Sequence, residues 1–347
     1  MLSEVELGQG RLVASILGLD VGSLEASFTR VGNGQVAECR RWVLSDATHN
    51  SQSVVVKFPS SDPTSRATAQ MQHLYERETA FYSILRPQVS IPTPDLLDVR
   101  YDAVNDDFLI ILEDLTPSRP LDQFAGLNVD DAVVALRALA GLHAPTAHRP
   151  DLFVLPWLGG VATELRPMYE AVLPLLFNQF LERYDEIMDD DVRCTVAKVR
   201  DSIVRYDANP PQLSCVLHGD YRTDNLIFDG ADGAKKFAVV DWQTVGVGGP
   251  LTDVAYFVTT SLGLDERRNH EHELIDIYRH EMSQLGVDVS LELARKEFAR
   301  STIQPIIMLV SASMIVERTE RGDKMFLTMI KRAVDATSDW DAFGELG

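Results

Sequence analysis

The sequence predicts an α+β chain in two unequal parts, a mainly β first third and a mainly helical remainder. Short apolar runs broken by turn residues fill the chain up to Leu115. Longer runs with apolar residues at helical spacing dominate beyond it. Between them stands a short Pro-rich connector, Thr116-Pro117-Ser118-Arg119-Pro120. No internal repeat or low-complexity tract interrupts this plan.

Leu24 to Val31 is strand-like, and Gly32-Asn33-Gly34 supplies turn chemistry, because Asn-Gly readily takes positive φ. Gln35 to Leu44 and Ser53 to Phe58 read as the next two strands, with the polar stretch His49 to Ser53 as a loop between them. Met71, Leu74, Phe81, Tyr82 and Leu85 recur at helical spacing, which predicts one helix from Thr68 to Leu85, ended by Pro87. Leu96 to Arg100 and Phe108 to Leu112 form a strand pair around the polar turn Asn105-Asp106-Asp107. After the connector, helices are predicted over 130–143, near 168–183, 191–206, 265–285 and 290–318. A strand-rich island from Leu213 to Val240 interrupts them.

Composition narrows the function. The 347 residues suffice for a sizeable core, and a hydrophobic fraction of 45% is ordinary for a globular chain. The formal charge of −20 argues against a nucleic-acid binder and against adhesion to an anionic membrane. Cys39, Cys194 and Cys215 are odd in number and widely spaced, so they outline neither a disulfide framework nor a zinc site. With no basic-then-apolar leader, and with the apolar run Ile306 to Val316 too short for a bilayer, a cytoplasmic protein is expected.

The chemistry concentrates in His218-Gly219-Asp220-Tyr221-Arg222-Thr223-Asp224-Asn225, set between the apolar runs Cys215-Val216-Leu217 and Leu226-Ile227-Phe228. A second carboxylate, Asp241, closes the run Phe237-Ala238-Val239-Val240. Strand ends hold such groups on a rigid frame, and phosphoryl transfer needs this set. Asp220 is placed to accept the proton of an attacking hydroxyl. Asn225 and Asp241 offer oxygens to magnesium, and Arg222 offers positive charge to the transferred group. Lys57 ends a strand and is the candidate phosphate contact, braced by Glu76 or Glu78. Glu78 is preferred because it precedes the core-facing pair Phe81-Tyr82. Gly32 and Gly34 are candidates to drape backbone over phosphates. Glu113 and Leu115, at the end of Leu109-Ile110-Ile111-Leu112, are candidates to meet the nucleotide base. Asp253 is read as a structural anion that caps its helix or ties down the Asp220 loop, His143 and His218 as bracing residues, and His270-Glu271-His272 with His280 as an exposed charged helix rather than a metal site.

Three segments together carry a resemblance. His218 to Asn225, then Val239-Val240-Asp241-Trp242-Gln243, then Gly249 to Phe257 closely resemble the aminoglycoside phosphotransferase and choline kinase superfamily, nearest its ecdysteroid-kinase-like branch. Lys57, Arg77 to Tyr82, Leu112 to Leu115 and Leu139 to His143 fit in the same order. The resemblance covers roughly Leu24 to Leu262. It implies a two-lobed protein-kinase-like fold, with residues 1–115 as a nucleotide-binding lobe of antiparallel sheet plus helix. Residues 116–347 would then carry the catalytic loop and acceptor-binding helices. It implies ATP and Mg2+ as cofactors, Asp220 as base, Asn225 and Asp241 as metal ligands, and Lys57 with Glu78 as the phosphate-positioning pair. Gly219 stands where protein kinases carry the arginine of HRD, and Asp241-Trp242-Gln243 stands for DFG. Only twelve positions separate Asp241 from Asp253, which leaves no room for a peptide platform and favours a small-molecule alcohol as acceptor. The expected acceptor pocket lies among the helices between Pro145 and Ala208, around Trp157, Met168, Tyr169, Phe177, Phe180 and Tyr184. A catalytically silent nucleotide-binding protein and a protein kinase are the rival readings.

Overall fold

The fold is known from a computed structural model that describes residues 2–32, 36–47, 50–119, 121–229 and 237–346. Helix α1 (Glu4–Ile16) opens the chain, capped by a reciprocal pair between Ser3 and Glu6. Strands β1 (Glu25–Arg30), β2 (Ala37–Ser45) and β3 (Ser51–Pro59) follow, then α2 (Pro63–Met71) and α3 (Leu74–Ala80), which continues as a π-helical turn over Phe81–Leu85. Strands β4 (Leu96–Asp102) and β5 (Asp107–Glu113) complete an antiparallel five-stranded sheet of order β1-β2-β3-β5-β4.

Side-chain alternation gives this sheet two different faces. Val54, Val56 and Phe58 of β3, with Trp42, Leu44, Leu109 and Ile111, point to an outer face that packs beneath Val13 and Ala14 of α1. Ile110 and Leu112 point the other way, into the main core with Leu74, Tyr75, Phe81 and Tyr82. Lys57 lies between Val56 and Phe58 and therefore faces inward, opposite Ile110 in the sheet register.

The rest of the chain is mainly helical: α4 (Val129–Thr146), the short α5 (Pro150–Phe153), α6 (Val161–Arg183) and α7 (Asp190–Asp207), then α8 (Pro250–Ser261), α9 (Leu264–Gln284), α10 (Leu291–Ser301), α11 (Ile303–Ile315) and α12 (Glu320–Asp339). Two small antiparallel pairs are set among them. β6 (Cys215–Leu217) pairs with β9 (Gly246–Gly248), and β7 (Leu226–Phe228) pairs with β8 (Phe237–Val239).

Six expectations need correction. Helix α1 was not expected; it buries Gly10, Val13 and Ala14, small residues that give little periodic signal, because the bulk at that contact comes from Trp42. A Cβ on Gly10 would lie 2.8 Å from the Trp42 ring. Strand β3 begins at Ser51, inside the expected loop, and His49 falls outside the described residues. The single helix over 68–85 is two, broken at His73, whose φ is 55°. That break turns Tyr75 inward, where its hydroxyl donates to the Val36 carbonyl and accepts from the Ser60 amide. The helix over 290–318 also breaks, at Thr302, because Pro305 has no N–H to give the carbonyl of Ser301, four residues back. By length and composition the run Leu291–Ile315 reaches membrane-spanning size, longer than the stretch weighed above, yet 67% of its window is buried inside the fold. Finally, α12 extends the helical part by 20 residues for which no separate helix was expected.

Candidate active site

Lys57 joins the sheet to the helical part. Its Nζ donates to both oxygens of Glu78 at 2.7 Å and to Oδ1 of Asp241 at 3.0 Å. The Glu78 side chain is 2% exposed and that of Lys57 12%, whereas Asp241 keeps 30% of its side chain in contact with solvent. Burial alone would lower the Lys57 pKa, but the Asp241 and Glu78 carboxylates outweigh it and hold the ammonium charged well above its usual range. Burial raises the Glu78 carboxyl, while at Asp241 the same penalty is overcome by the Lys57 charge, leaving that carboxyl below its usual range. Glu76, the alternative brace, is half-exposed beside His73 instead.

The helix bearing Glu78 is fastened to the segment after Asp241. Arg77 donates through Nε to the Val245 carbonyl (2.8 Å) and through Nη2 to the Thr244 carbonyl (3.0 Å). The Trp242 amide donates to Glu78 Oε1 at 3.3 Å, and the Trp242 indole stacks on Phe81 with centroids 3.6 Å apart and planes 5° from parallel. Asp241 itself holds a left-handed backbone, φ 67° and ψ 68°, a conformation that aspartate tolerates better than most residues.

The Asp220 loop is fixed from below by α8. Asp253, in the first turn of that helix, accepts from the backbone amides of His218 (2.6 Å) and Gly219 (3.0 Å), and lies 3.2 Å from Nε2 of the fully buried His143. His218 accepts the Asp220 amide at Nδ1 (3.2 Å), so its Nε2 carries the proton and donates to the Val240 carbonyl (3.1 Å). Gly219 takes φ 84°, and a Cβ there would lie 2.4 Å from the Thr244 carbonyl oxygen, so the arginine of HRD has no place at this position.

Asp220 is surrounded by donors. Arg222 Nε lies 3.1 and 3.2 Å from its two oxygens, Asn225 Nδ2 donates to Oδ2 at 2.9 Å, and the Tyr256 hydroxyl donates to Oδ1 at 2.9 Å. The remaining reach of Arg222 goes to Asp224 (2.6 Å), so this guanidinium is shared between two carboxylates of its own loop. Asn225 and Asp241 are brought side by side by the β7–β8 pair: the Val240 amide donates to the Asn225 carbonyl at 3.0 Å, one residue before Asp241.

These residues fit magnesium by the chemistry of their donors. Asn225 spends its amide N–H groups on Asp220, leaving its carbonyl oxygen as the free pole of the side chain. Lys57 sets one positive charge against two negative ones, and the uncompensated charge falls to the more exposed partner, Asp241. A hard cation takes oxygen donors of this kind, and magnesium usually binds through one or two protein groups plus substrate phosphates. Among the described residues no cluster of three or more His, Cys, Asp or Glu forms a closed metal site. In the His270 region Glu271 is ion-paired with buried Arg267 and His272 packs on Trp340.

Other expected site residues are placed less directly. Gly32 turns at φ 70° after β1, while Asn33 and Gly34 lie outside the described residues. Glu113 ends β5 with its amide and side chain both engaged by the Asp95 backbone, and Leu115 is buried. Trp157, Phe177, Phe180 and Tyr184 pack in the core instead of lining a pocket. Tyr256, Arg77 and the Phe81–Trp242 stack were not foreseen, because each acts across a long stretch of chain.

The ecdysteroid kinase-like family matches residues 41–289. The chain belongs to that family. Among solved structures, this kinase-like chain is similar to the GDP complex of aminoglycoside 2'-phosphotransferase-IIIa, with a TM-score of 0.54 at 14% identity over 96% of this chain and 99% of the other. It is also similar to a GDP and kanamycin complex of an aminoglycoside phosphotransferase, with a TM-score of 0.50 at 13% identity over 96% and 99%. At such identities the likeness shows the fold, an aminoglycoside-phosphotransferase-like kinase fold. Among curated proteins, viomycin phosphotransferase of Streptomyces vinaceus is 42% identical over 50 residues, 14% of this chain and 17% of that protein. Acyl-CoA dehydrogenase family member 11 of Mus musculus is 33% identical over 91 residues, 22% of this chain and 11% of that protein. The matches thus span only small parts of these curated relatives.

Proposed function

We propose that this ecdysteroid kinase-like protein is an ATP- and magnesium-dependent phosphotransferase whose acceptor is a hydroxyl group of a small molecule. The observation that carries the reading is the junction of two clusters. Lys57 from the sheet reaches Asp241 from the helical part, and the β7–β8 pair sets Asp241 beside the Asn225–Asp220 loop. Lys57, held charged and pinned by Glu78, is the phosphate-positioning residue. Asn225 and Asp241 would hold magnesium, which when bound neutralises phosphate charge. Asp220 takes the proton of the acceptor hydroxyl as its oxygen bonds to the terminal phosphorus and the bond to the departing nucleoside diphosphate breaks. Arg222 serves this role through the Asp220 carboxylate that it forks.

The acceptor class is small. The interval from Asp241 to Asp253 is filled by a short 3-10 turn at Trp242–Thr244, strand β9 and the start of α8. It offers no peptide platform. A cleft of about 650 Å³ opens between Ile187 and the first turns of α12, lined by Arg318, Glu320, Lys324 and Leu327 among others. Met325, next to the lining residue Lys324 on α12, has its Sδ 3.8 Å from Arg222 Nη1, and on that proximity alone we propose this cleft for the acceptor. The test is mass-spectrometric detection of a phosphorylated product across a panel of alcohols with ATP or GTP. Product formation is expected to stop when EDTA removes magnesium. Nucleotide binding without product from any alcohol would replace this reading with that of a silent binding protein.

A further inference from the structure

Helix α8 presents two side chains three residues apart on one face. Asp253 holds the backbone of the catalytic loop, and Tyr256 reaches the carboxylate of Asp220 itself. We infer that Tyr256 is a positioning residue for Asp220, one that fixes the orientation in which the base meets the acceptor hydroxyl. This rests on the phosphotransferase reading above and adds to it a residue on which the rate of transfer depends.

An ionised carboxylate offers about four lone-pair sites. Arg222 Nε lies nearly equidistant from both oxygens, and therefore holds the group in place without distinguishing one oxygen from the other. Asn225 marks Oδ2 and Tyr256 marks Oδ1, which together fix the rotation of the carboxylate about its Cβ–Cγ bond. These contacts use about four lone-pair sites, and the Arg222 contact, shared between both oxygens, is the one an incoming hydroxyl displaces. Tyr256 suits this task. Its residue is 4% exposed, its ring is set in the core with Tyr206, Ile303 and Phe326, and its hydroxyl makes its hydrogen bond to Asp220. Burial and the Asp220 charge push its phenol pKa well above the ordinary value, so it stays a donor. Unlike Arg222 and Asn225, Tyr256 lies outside the loop that it steadies. It therefore relays the rigidity of α8 to the base.

The experiment is a double-mutant cycle on the full chain with Tyr256→Phe and Asp220→Asn. It is read as turnover of MgATP, with water and with any alcohol found in the product screen, and as binding of a fluorescent ATP analogue. Tyr256→Phe is expected to lower kcat about tenfold. The affinity for the analogue should stay within about twofold of wild type. In the Asp220→Asn background the same substitution should change the residual rate by less than about twofold, because the group on which it acts is gone. If Tyr256→Phe failed to fold, 4-fluorophenylalanine at this position would fill the same space without donating. An unchanged kcat, equal losses in kcat and nucleotide binding, or an undiminished effect in the Asp220→Asn background would each overturn the assignment. A wild-type protein that bound nucleotide yet turned over none with water or any alcohol would overturn the phosphotransferase reading, and this inference with it.

Discussion

The two charged clusters of the site are built in opposite ways. Around Asp220 the ligands Arg222 and Asn225 lie two and five residues away, on one loop clamped by α8. Around Lys57 the partners lie 21 and 184 residues away: Glu78 comes from α3 beside the sheet, whereas Asp241 meets Lys57 only when the sheet docks on the helical part. On the proposed function, the acceptor end of the site is therefore assembled locally, whereas the phosphate end depends on global packing. A change in packing should reach nucleotide binding first and proton transfer last.

The largest expected effect would come from the local cluster. Asp220→Asn should lower transfer to any acceptor by about 10³-fold while leaving the melting temperature near that of wild type. A variant that lost both together would show that the loop is not independently braced. At the docked cluster the effect should divide between stability and binding. Lys57→Met leaves Glu78 and Asp241 facing each other unpaired, with an expected cost of about 3–5 kcal/mol and weakened nucleotide binding. Adding Glu78→Leu should restore part of the stability in urea denaturation without restoring the binding. Gly219→Ala tests the seam between the clusters, since it forces a Cβ toward the Thr244 carbonyl at φ 84°. It should cost about 2 kcal/mol and reduce turnover more than nucleotide binding. The smallest effect concerns Cys39, which pairs with Lys57 across the sheet. Burial pushes its thiol up to about 11, so at pH 8 it stays protonated, and iodoacetamide should label exposed Cys194 well before it. Equal labelling of the two would show that the sheet around Lys57 opens.

The same contrast explains what the sequence disclosed. Asp220 and Asn225 were legible because their spacing and flanking apolar runs are local, and Asp241 because it closes a strand. Glu78 could be preferred over Glu76 because the stripe Phe81-Tyr82 marks the buried face of its helix. Tyr256 was hidden in an almost wholly buried helix in which no pattern separates a packing tyrosine from one that donates to a carboxylate. Arg77 was hidden because its partners lie 167 and 168 residues on. Helix α1 escaped because its buried face is made of glycine and alanine as much as valine. The left-handed turn at His73 and the break before Pro305 cut long helical patterns that periodicity alone would join.

The Phe81–Trp242 stack has one practical consequence. Its two rings belong to different parts of the chain and are both fully shielded from water. If the sheet and the helices parted, the indole would be hydrated and its emission would move to longer wavelength. The protein thus carries an intrinsic optical gauge of its own closure, which can be followed without a label while nucleotide is titrated in.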